Sequence, residues 1–509
     1  MNYPVWHVPF GSEWLIAIIA VLHVFVSHFA VGGGLFLVAA EARAHRRYDP
    51  GLMDWLKRHT KFFVLLTLVF GAVSGVGIWF TIGLISPEAT SNLIHIFVWA
   101  WAIEWVFFLV EILSILVYAY TWDTVPKAVH RLVGWVYFIA AFMSLVVIDG
   151  ILSFQLTPGR WLQTHSLFDG FFNPGYAPSL VVRSLICLML GGLYALFTLS
   201  WSKDRTLKAE LARYAAYWVW LPALGLPPAV WWLLHTLPGY HRILLHTNPI
   251  VQNFTTLLFV TSGLVVGLTF AVVWLRPRWL GKWISIPLMV LALAAMGATE
   301  WIREDIREPF LISGYTYINQ VSVHQVDALK SKGLLASSLW VSESAITPEN
   351  EAKVGGELFR VVCSNCHLPR KGFNALGTKL VGLDHAFVTA LVSKTDLIRA
   401  GMPPWFGKPE EAAAVARYLM DNSPKEPVSN DGKAVWERRC GMCHDISGPF
   451  RPVAAVLAGQ NAEDLAETIG SIEVMSDLMP PWTGNDIERQ ALAHYLAKAC
   501  AAPAKGGAK

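Results

Sequence analysis

Cys363-Ser364-Asn365-Cys366-His367 and Cys440-Gly441-Met442-Cys443-His444 are two copies of one pattern, their first cysteines 77 positions apart. Two cysteines separated by two residues form thioethers to the vinyl groups of one haem, and the adjoining histidine reaches its iron. The same offset of 77 relates Met402-Pro403-Pro404-Trp405 to Met479-Pro480-Pro481-Trp482, and Arg417-Tyr418-Leu419 to His494-Tyr495-Leu496. Three motifs at a single period mark a tandem duplication. It predicts two small all-α modules, residues 348–423 and 424–503, divided near Ser423-Pro424-Lys425-Glu426-Pro427, each with one covalent haem c.

In each module 35 residues run from the histidine to the methionine, His367 to Met402 and His444 to Met479. That length of chain wraps a porphyrin and brings a thioether to the opposite face of the iron. His/Met ligation fills both axial positions, which suits electron transfer and leaves no place for a substrate. The expected haem-binding residues are Cys363, Cys366, His367 and Met402, then Cys440, Cys443, His444 and Met479, with the histidines and methionines on iron. A packed loop residue is the plainer reading of each methionine; repetition in register favours the ligand. Phe359 and Trp436 are expected to carry an aromatic ring into each pocket from an N-terminal helix. Residues 348–503 resemble tandem class I cytochrome c domains.

The rest of the chain is of another kind. A hydrophobic content of 54 % over 509 residues is too high for soluble domains alone, and a net charge of only +3 gives no reason to expect a nucleic-acid partner. Eight apolar stretches, near 13–40, 62–85, 93–120, 131–156, 179–200, 214–235, 251–275 and 283–302, are long enough to cross the ~30 Å hydrocarbon layer of a lipid membrane. They are expected to be helices, since lone strands leave backbone polar groups unpaired in lipid. The whole is thus an all-α polytopic membrane bundle of about eight spans followed by two small all-α domains. No cleavable signal peptide is expected at the N-terminus.

Loop charge orients the bundle. Segments 41–61, 121–131, 201–213 and 276–282 hold 6, 2, 4 and 3 Lys and Arg, whereas the alternate loops hold only Arg160 and Arg242. Positive charge stays inside, so the N-terminus is expected outside, and eight spans return the chain outside after Trp301. Covalent haem attachment in bacteria is extracytoplasmic, which agrees. The expected location is the bacterial inner membrane, with N-terminus and haem c modules periplasmic. Residues 311–347 read as a connector and 504–509 as a disordered tail. Cys187 and Cys500 read as packed or idle thiols, so no disulfide framework is expected.

Ionisable groups inside spans suggest function by default. Glu104 and Glu111 are seven residues apart, two helical turns, and project from nearly one face. Such a column relays protons, or else pins helices together as hydrogen-bonded acids. His23 lies about three turns into the first span and is a candidate haem ligand, or an interhelical hydrogen-bonding group. His28 lies about 140° further round the helix. Gly32-Gly33-Gly34 permit close approach of a helix or of a flat macrocycle. The run Glu300 to Phe310 is unusually charged for an outer interface. His235, His241 and His246 read as surface histidines of an outer loop.

With these residues in view, residues 1–310 resemble the haem-bearing subunit I of cytochrome bd-type oxidases. The likeness rests on His23 with Gly32 and Glu41 behind it, on Glu104 and Glu111, and on Glu304-x-x-Arg307-Glu308-Pro309-Phe310. The resemblance implies two non-covalent haems, b and/or d in type, with His23 and Glu304 as axial ligands. It implies Arg307 as a cation for haem propionates, and Glu104 and Glu111 in a proton route from the cytoplasm. It also implies a subunit II-like partner chain. Three departures stand out. The glutamate spacing is one residue shorter, the long outer loop after the fifth span is missing, and Arg183 stands where a third haem would have its histidine. The quinol entry site is therefore expected to be lost, with the haem c modules accepting electrons from a periplasmic cytochrome c or redox protein instead. The expected function is a haem oxidoreductase reducing oxygen. The alternative is a non-catalytic electron-transfer subunit linking a periplasmic partner or quinone to a larger complex, and a weaker one is a scaffold tethering the two modules.

Overall fold

The computed structural model describes residues 6, 8–372, 374–398, 401–424, 430–448, 450–476 and 479–501. Most of the expected module boundary, from Lys425, and the expected tail lie outside the described residues. The chain divides into two compact units. One comprises 16–83 and 89–307, the other the described residues of 1–15, 84–88 and 308–509.

The first unit is all helix. Its elements are α1 (Ser12–Arg47), α2 (Pro50–Val64), α3 (Ala72–Ile85), α4 (Pro87–Ile96), α5 (Val98–Tyr120) and α6 (Lys127–Leu156). Then come the short α7 (Trp161–Thr164) and α8 (Leu167–Phe171), α9 (Tyr176–Leu199), α10 (Arg205–Thr236), α11 (Gly239–Thr247), α12 (Pro249–Leu268) and α13 (Lys282–Arg307). A π-helical turn, Leu65–Gly71, joins α2 to α3 without a break. The helices start where local chemistry allows. The Asp49 carboxylate accepts from the Leu52 amide ahead of Pro50, and Asp204 and Asn248 cap α10 and α12 in the same way.

Among the described residues, seven helices are long and apolar enough to cross a membrane. The expected span at 214–235 falls outside that set, because its prolines, tryptophans and tyrosines lower its hydropathy. It is nonetheless one unbroken 32-residue helix, α10, with Pro222, Pro227 and Pro228 inside it. The Trp6 amide donates to the Leu84 carbonyl at 3.1 Å, and the Gln320 amide oxygen accepts from the Glu88 amide at 2.9 Å. Residues near 6, 84–88 and 320 thus belong to one unit.

Glycine sets how closely the helices meet. A Cβ on Gly32 would lie 1.7 Å from the Cys187 carbonyl oxygen, and one on Gly191 2.7 Å from the Gly32 oxygen. The glycine run therefore serves the approach of α1 to α9, with Cys187 packed beneath it. Gly33 lies under the rings of Phe29 and Phe63, and Gly34 under that of Tyr137. Around this contact Phe29, Phe36, Leu56, Phe63, Leu196 and Tyr118 are buried. Large apolar side chains such as Val73, Phe80, Trp105 and Phe259 stay exposed, as a lipid-facing surface requires.

In the second unit a two-stranded hairpin, β1 (Phe310–Ile312) with β2 (Thr316–Tyr317), precedes α14 (Val326–Lys332). The first module follows with α15 (Glu351–Val362), α16 (His385–Ser393), α17 (Thr395–Ile398) and α18 (Pro409–Asp421). The second has α19 (Gly432–Arg439), α20 (Ala454–Leu457), α21 (Ala462–Gly470), α22 (Ile472–Met475) and α23 (Asp486–Ala499). Residues 311–347 do more than connect. Val321 and Leu334 are buried in the first module's core, and the Glu411 carboxylate accepts from the Leu334 and Leu335 amides at 2.9 and 2.8 Å.

The duplication is visible in the packing. A Cβ on Gly355 would sit 1.9 Å from the Ala414 carbonyl oxygen, and one on Gly432, 77 residues later, 2.1 Å from that of Ala491. In both modules the opening and closing helices cross at this glycine, against backbone that cannot yield. Gly355→Ala and Gly432→Ala are each expected to destabilise their own module by about 3 kcal/mol, the upper part of the range for overpacking. Denaturation followed by haem c absorbance, on each variant separately, checks this.

Candidate haem and proton sites

Each CxxCH motif begins at the C-terminus of its module's first helix, where the Cys363 amide donates to the Phe359 carbonyl and the Cys440 amide to that of Trp436. The histidine is then fixed by a carbonyl seven residues on. His367 Nδ1 donates to the Asn374 oxygen at 3.1 Å, and His444 Nδ1 to the Arg451 oxygen at 3.0 Å. Both carbonyls are presented from left-handed backbone, with φ of 52° at Asn374 and 43° at Arg451. A histidine that gives its Nδ1 proton to a carbonyl keeps its Nε2 lone pair for a metal, so both imidazoles fit haem iron. Burial pushes the His367 imidazole down to about 4, which keeps it neutral, with the lone pair of the other nitrogen unprotonated. Met402 lies in the irregular stretch between α17 and α18, and Met479 in that between α22 and α23.

Phe359 and Trp436 are buried, as expected of their place on the opening helices. Trp405 and Trp482 each stand over a glycine, Gly407 and Gly484. Two features were not foreseen. Met442, inside the second motif, packs against the first module's core, and Arg451 donates to the Leu397 carbonyl at 2.7 Å. Further, Glu13 and Glu308 each bring a carboxylate oxygen within 4.8 Å of the Cys366 sulfur. The pair places acidic groups beside the first CxxCH motif. Nothing local in the sequence links residues 13, 308 and 366; only the fold does.

Within the membrane bundle, His23 faces the second span. Ser74 Oγ donates to the Phe70 carbonyl at 2.7 Å, so it accepts from His23 Nδ1 at 3.1 Å, which leaves His23 Nε2 with a lone pair. His28 is used up. Its Nδ1 donates to the Val24 carbonyl at 2.9 Å, and its Nε2 faces Arg183 Nη1 at 3.5 Å. Arg183 in turn donates through Nε to Asp149 at 2.8 Å. At the position where a third haem ligand was sought, an arginine completes a buried ion network. On α13, Arg303 Nε pairs with Glu300 at 2.9 Å and Arg307 pairs with Glu304. Arg307 also donates to the Gln155 side-chain oxygen at 3.1 Å. Arg303 Nη1 is buried without a hydrogen-bond partner, a donor suited to an anion such as a haem propionate.

Glu104 and Glu111 both face α6. The Ser144 hydroxyl donates to Glu104 at 3.0 Å, and the Tyr137 hydroxyl, one stripe position on, donates to the Ala30 carbonyl of α1 at 3.1 Å. Of the three outer-loop histidines, His235 and His246 are exposed, as expected of surface groups. His241 is not: it is fully buried, its Nδ1 donating to the Ile306 carbonyl at 2.6 Å. The end of α13 draws it inward because that helix leaves carbonyls to be satisfied.

Comparison with known proteins agrees with this architecture. Residues 12–228 match the family described as cytochrome bd terminal oxidase subunit I. Residues 350–419 and 428–496 each match the family described as cytochrome c oxidase, cbb3-type, subunit III. The structure of bd oxidase from Geobacillus thermodenitrificans superposes with a TM-score of 0.50 at 16 % sequence identity, covering 62 % of this chain and 92 % of that one. At that identity the likeness is one of fold. No curated protein matches the chain.

Proposed function

We propose that this chain, a cytochrome bd subunit I-like membrane bundle joined to two cytochrome c domains, takes electrons at its haem c modules and reduces oxygen inside the bundle. Reduction of oxygen to water consumes a proton for every electron. The observation that carries this reading is the carboxyl column of Glu104, Ser144 and Glu111 within the spans. An anchor that only conducted electrons has no use for intramembrane acids, which are costly to keep there.

His23 and Glu304 are the residues that would hold the two non-covalent haems, and Arg307 and Arg303 the cations that would face their propionates. Haem with an open axial position supplies the oxygen chemistry when bound. The protein's own contribution is separate. Ser74 orients His23 by accepting its Nδ1 proton, and Arg307 holds Glu304 beside α13. Glu111 and then Glu104 carry protons from the side of the basic loops. His367, Met402, His444 and Met479 are the proposed haem c ligands, with each cysteine pair on its porphyrin.

Arg183 supports an outer, cytochrome c-type electron donor over a quinol. Committed to Asp149 and Glu300, it offers no ligand for the third haem of the quinol-oxidising relatives. Positive loop charge favours the haem c modules on the periplasmic face and a soluble periplasmic donor. A subunit II-like chain is the proposed membrane partner. The test is an anaerobic reduced spectrum of the purified protein with and without carbon monoxide, alongside a haem count. Four haems per chain and a carbon monoxide shift are expected. Six-coordinate haems throughout, with no shift, would leave an electron-transfer subunit; two haems would leave a tether.

A further inference from the structure

The carboxyl column does not end at Glu111. On α5, Glu104, Glu111 and Tyr118 follow at intervals of seven residues, and on the antiparallel α6 so do Ser144, Tyr137 and His130. Seven residues are two turns, so each series forms one stripe, and the hydrogen bonds show the stripes facing each other. At the far end they meet α1. There the Tyr118 hydroxyl donates to Glu41 Oε2 at 2.9 Å, and His130 Nδ1 lies 3.0 Å from Glu41 Oε1. Glu41, Tyr118 and His130 are at most 2 % exposed, while His45, 3.4 Å from Glu41, is 19 % exposed. This end belongs to the basic loops, since α1 closes on His45-Arg46-Arg47 and α6 opens on Lys127.

Proton bookkeeping at His130 is strict. Its Nε2 lies 2.9 Å from the Tyr118 backbone carbonyl, which only accepts, so Nε2 carries a hydrogen. With neutral imidazole and ionised Glu41, Nδ1 and Oε1 would present two lone pairs to each other across 3.0 Å in a buried place. One further proton therefore sits between them. The rings of Tyr118 at 4.2 Å and Trp122 at 4.3 Å, themselves in contact at 5.2 Å, pack against His130 and hold it in register.

The geometry points to the Glu41–His130 pair, with Tyr118 and His45, as the inner mouth of the proton route: a loading site that holds one proton and is refilled from the basic face. The inference rests on the reading above, that protons enter from that side. In the transfer, the Tyr118 hydroxyl turns from Glu41 Oε2 and gives its hydrogen toward Glu111 through bridging water, and its oxygen then takes the proton of protonated Glu41. His45 then delivers a solvent proton to Glu41, so no net charge is left behind. From Tyr118 to Glu111 is two turns, ~10.5 Å of helix rise, a gap for bridging water, since the Tyr137 hydroxyl donates to the Ala30 carbonyl at 3.1 Å. Gly34 leaves room for the Tyr137 ring, which a Cβ would meet at 2.5 Å.

The test uses the full haem-loaded chain in vesicles, oriented with the basic loops inward and a pH dye trapped inside. Under argon, the haems are reduced by a light pulse with a photoreductant, and internal proton uptake is timed. Glu41→Gln keeps the shape of the site and Tyr118→Phe keeps the ring stack while removing only the hydroxyl. Each is expected to slow internal uptake at least ~10-fold, the lower end for loss of one proton-transfer group, with the extent of haem c reduction unchanged. Uptake at the wild-type rate in both variants, or uptake from the outer face, would overturn the proposal. Because this readout needs no oxygen, oxygen consumption measured in parallel judges the oxidase reading separately. Loss of internal uptake in the variants of a chain that consumes no oxygen would keep the relay and sink the oxidase.

Discussion

His23→Ala is expected to abolish the carbon monoxide response of the reduced protein and to lower oxygen consumption by at least about 100-fold, equivalent to ~3 kcal/mol or more of barrier. The haem c absorbance is expected to remain. His23 is the intramembrane histidine of α1 whose second nitrogen keeps a lone pair. Its Nδ1 is spent on Ser74, whereas His28 has both nitrogens engaged. The comparison variant is therefore His28→Ala, which disturbs the Arg183 network and costs stability but leaves the carbon monoxide response in place. A His23→Ala protein with an unchanged carbon monoxide spectrum would remove His23 from the haem site.

Glu111→Gln is expected to lower turnover with an artificial donor by about 100-fold, the scale of a lost proton-transfer group. The amide keeps the volume and hydrogen-bonding capacity of the acid but cannot pass on a proton. A purely structural acid would tolerate that exchange, so the rate separates the two roles. Ser144→Ala is expected to be milder, because Ser144 donates to Glu104 and a water molecule can replace a hydroxyl. Oxygen uptake and the rate of haem c reduction should be recorded together: the first falls, the second does not. If both fall equally, the defect lies in electron entry and Glu111 is not in the proton route.

The CxxCH motifs, their 77-residue period and the polytopic apolar helices were legible because each rests on local chemistry: a fixed covalent spacing, a duplicated register, a length of apolar chain. The stripe of Glu104 and Glu111 was legible for the same reason, two positions on one helix. Tyr118 extends it at the same interval and was missed, since a tyrosine among apolar neighbours reads as core. His130 and Ser144 needed a second helix, whose pairing with α5 no single-helix pattern reveals. The signal that would have found them is the matching interval of seven on α6.

His241 shows the converse. Its loop looks like surface in the sequence, yet the end of α13 needs a donor for the Ile306 carbonyl and buries it. Arg183, read from its position as a missing histidine, acquires a role only beside Asp149, Glu300 and His28.

The chain's own order of residues determined that it carries covalent haem, crosses a lipid layer repeatedly and repeats one module, because these follow from spacing, length and periodicity along a single segment. The tertiary structure alone decided which nitrogen of His23, His367 and His444 keeps its lone pair and which acid lies against His130. It also decided that Glu13 and Glu308 meet Cys366. Those facts depend on groups distant in sequence arriving within hydrogen-bond range, and no local pattern encodes such a distance.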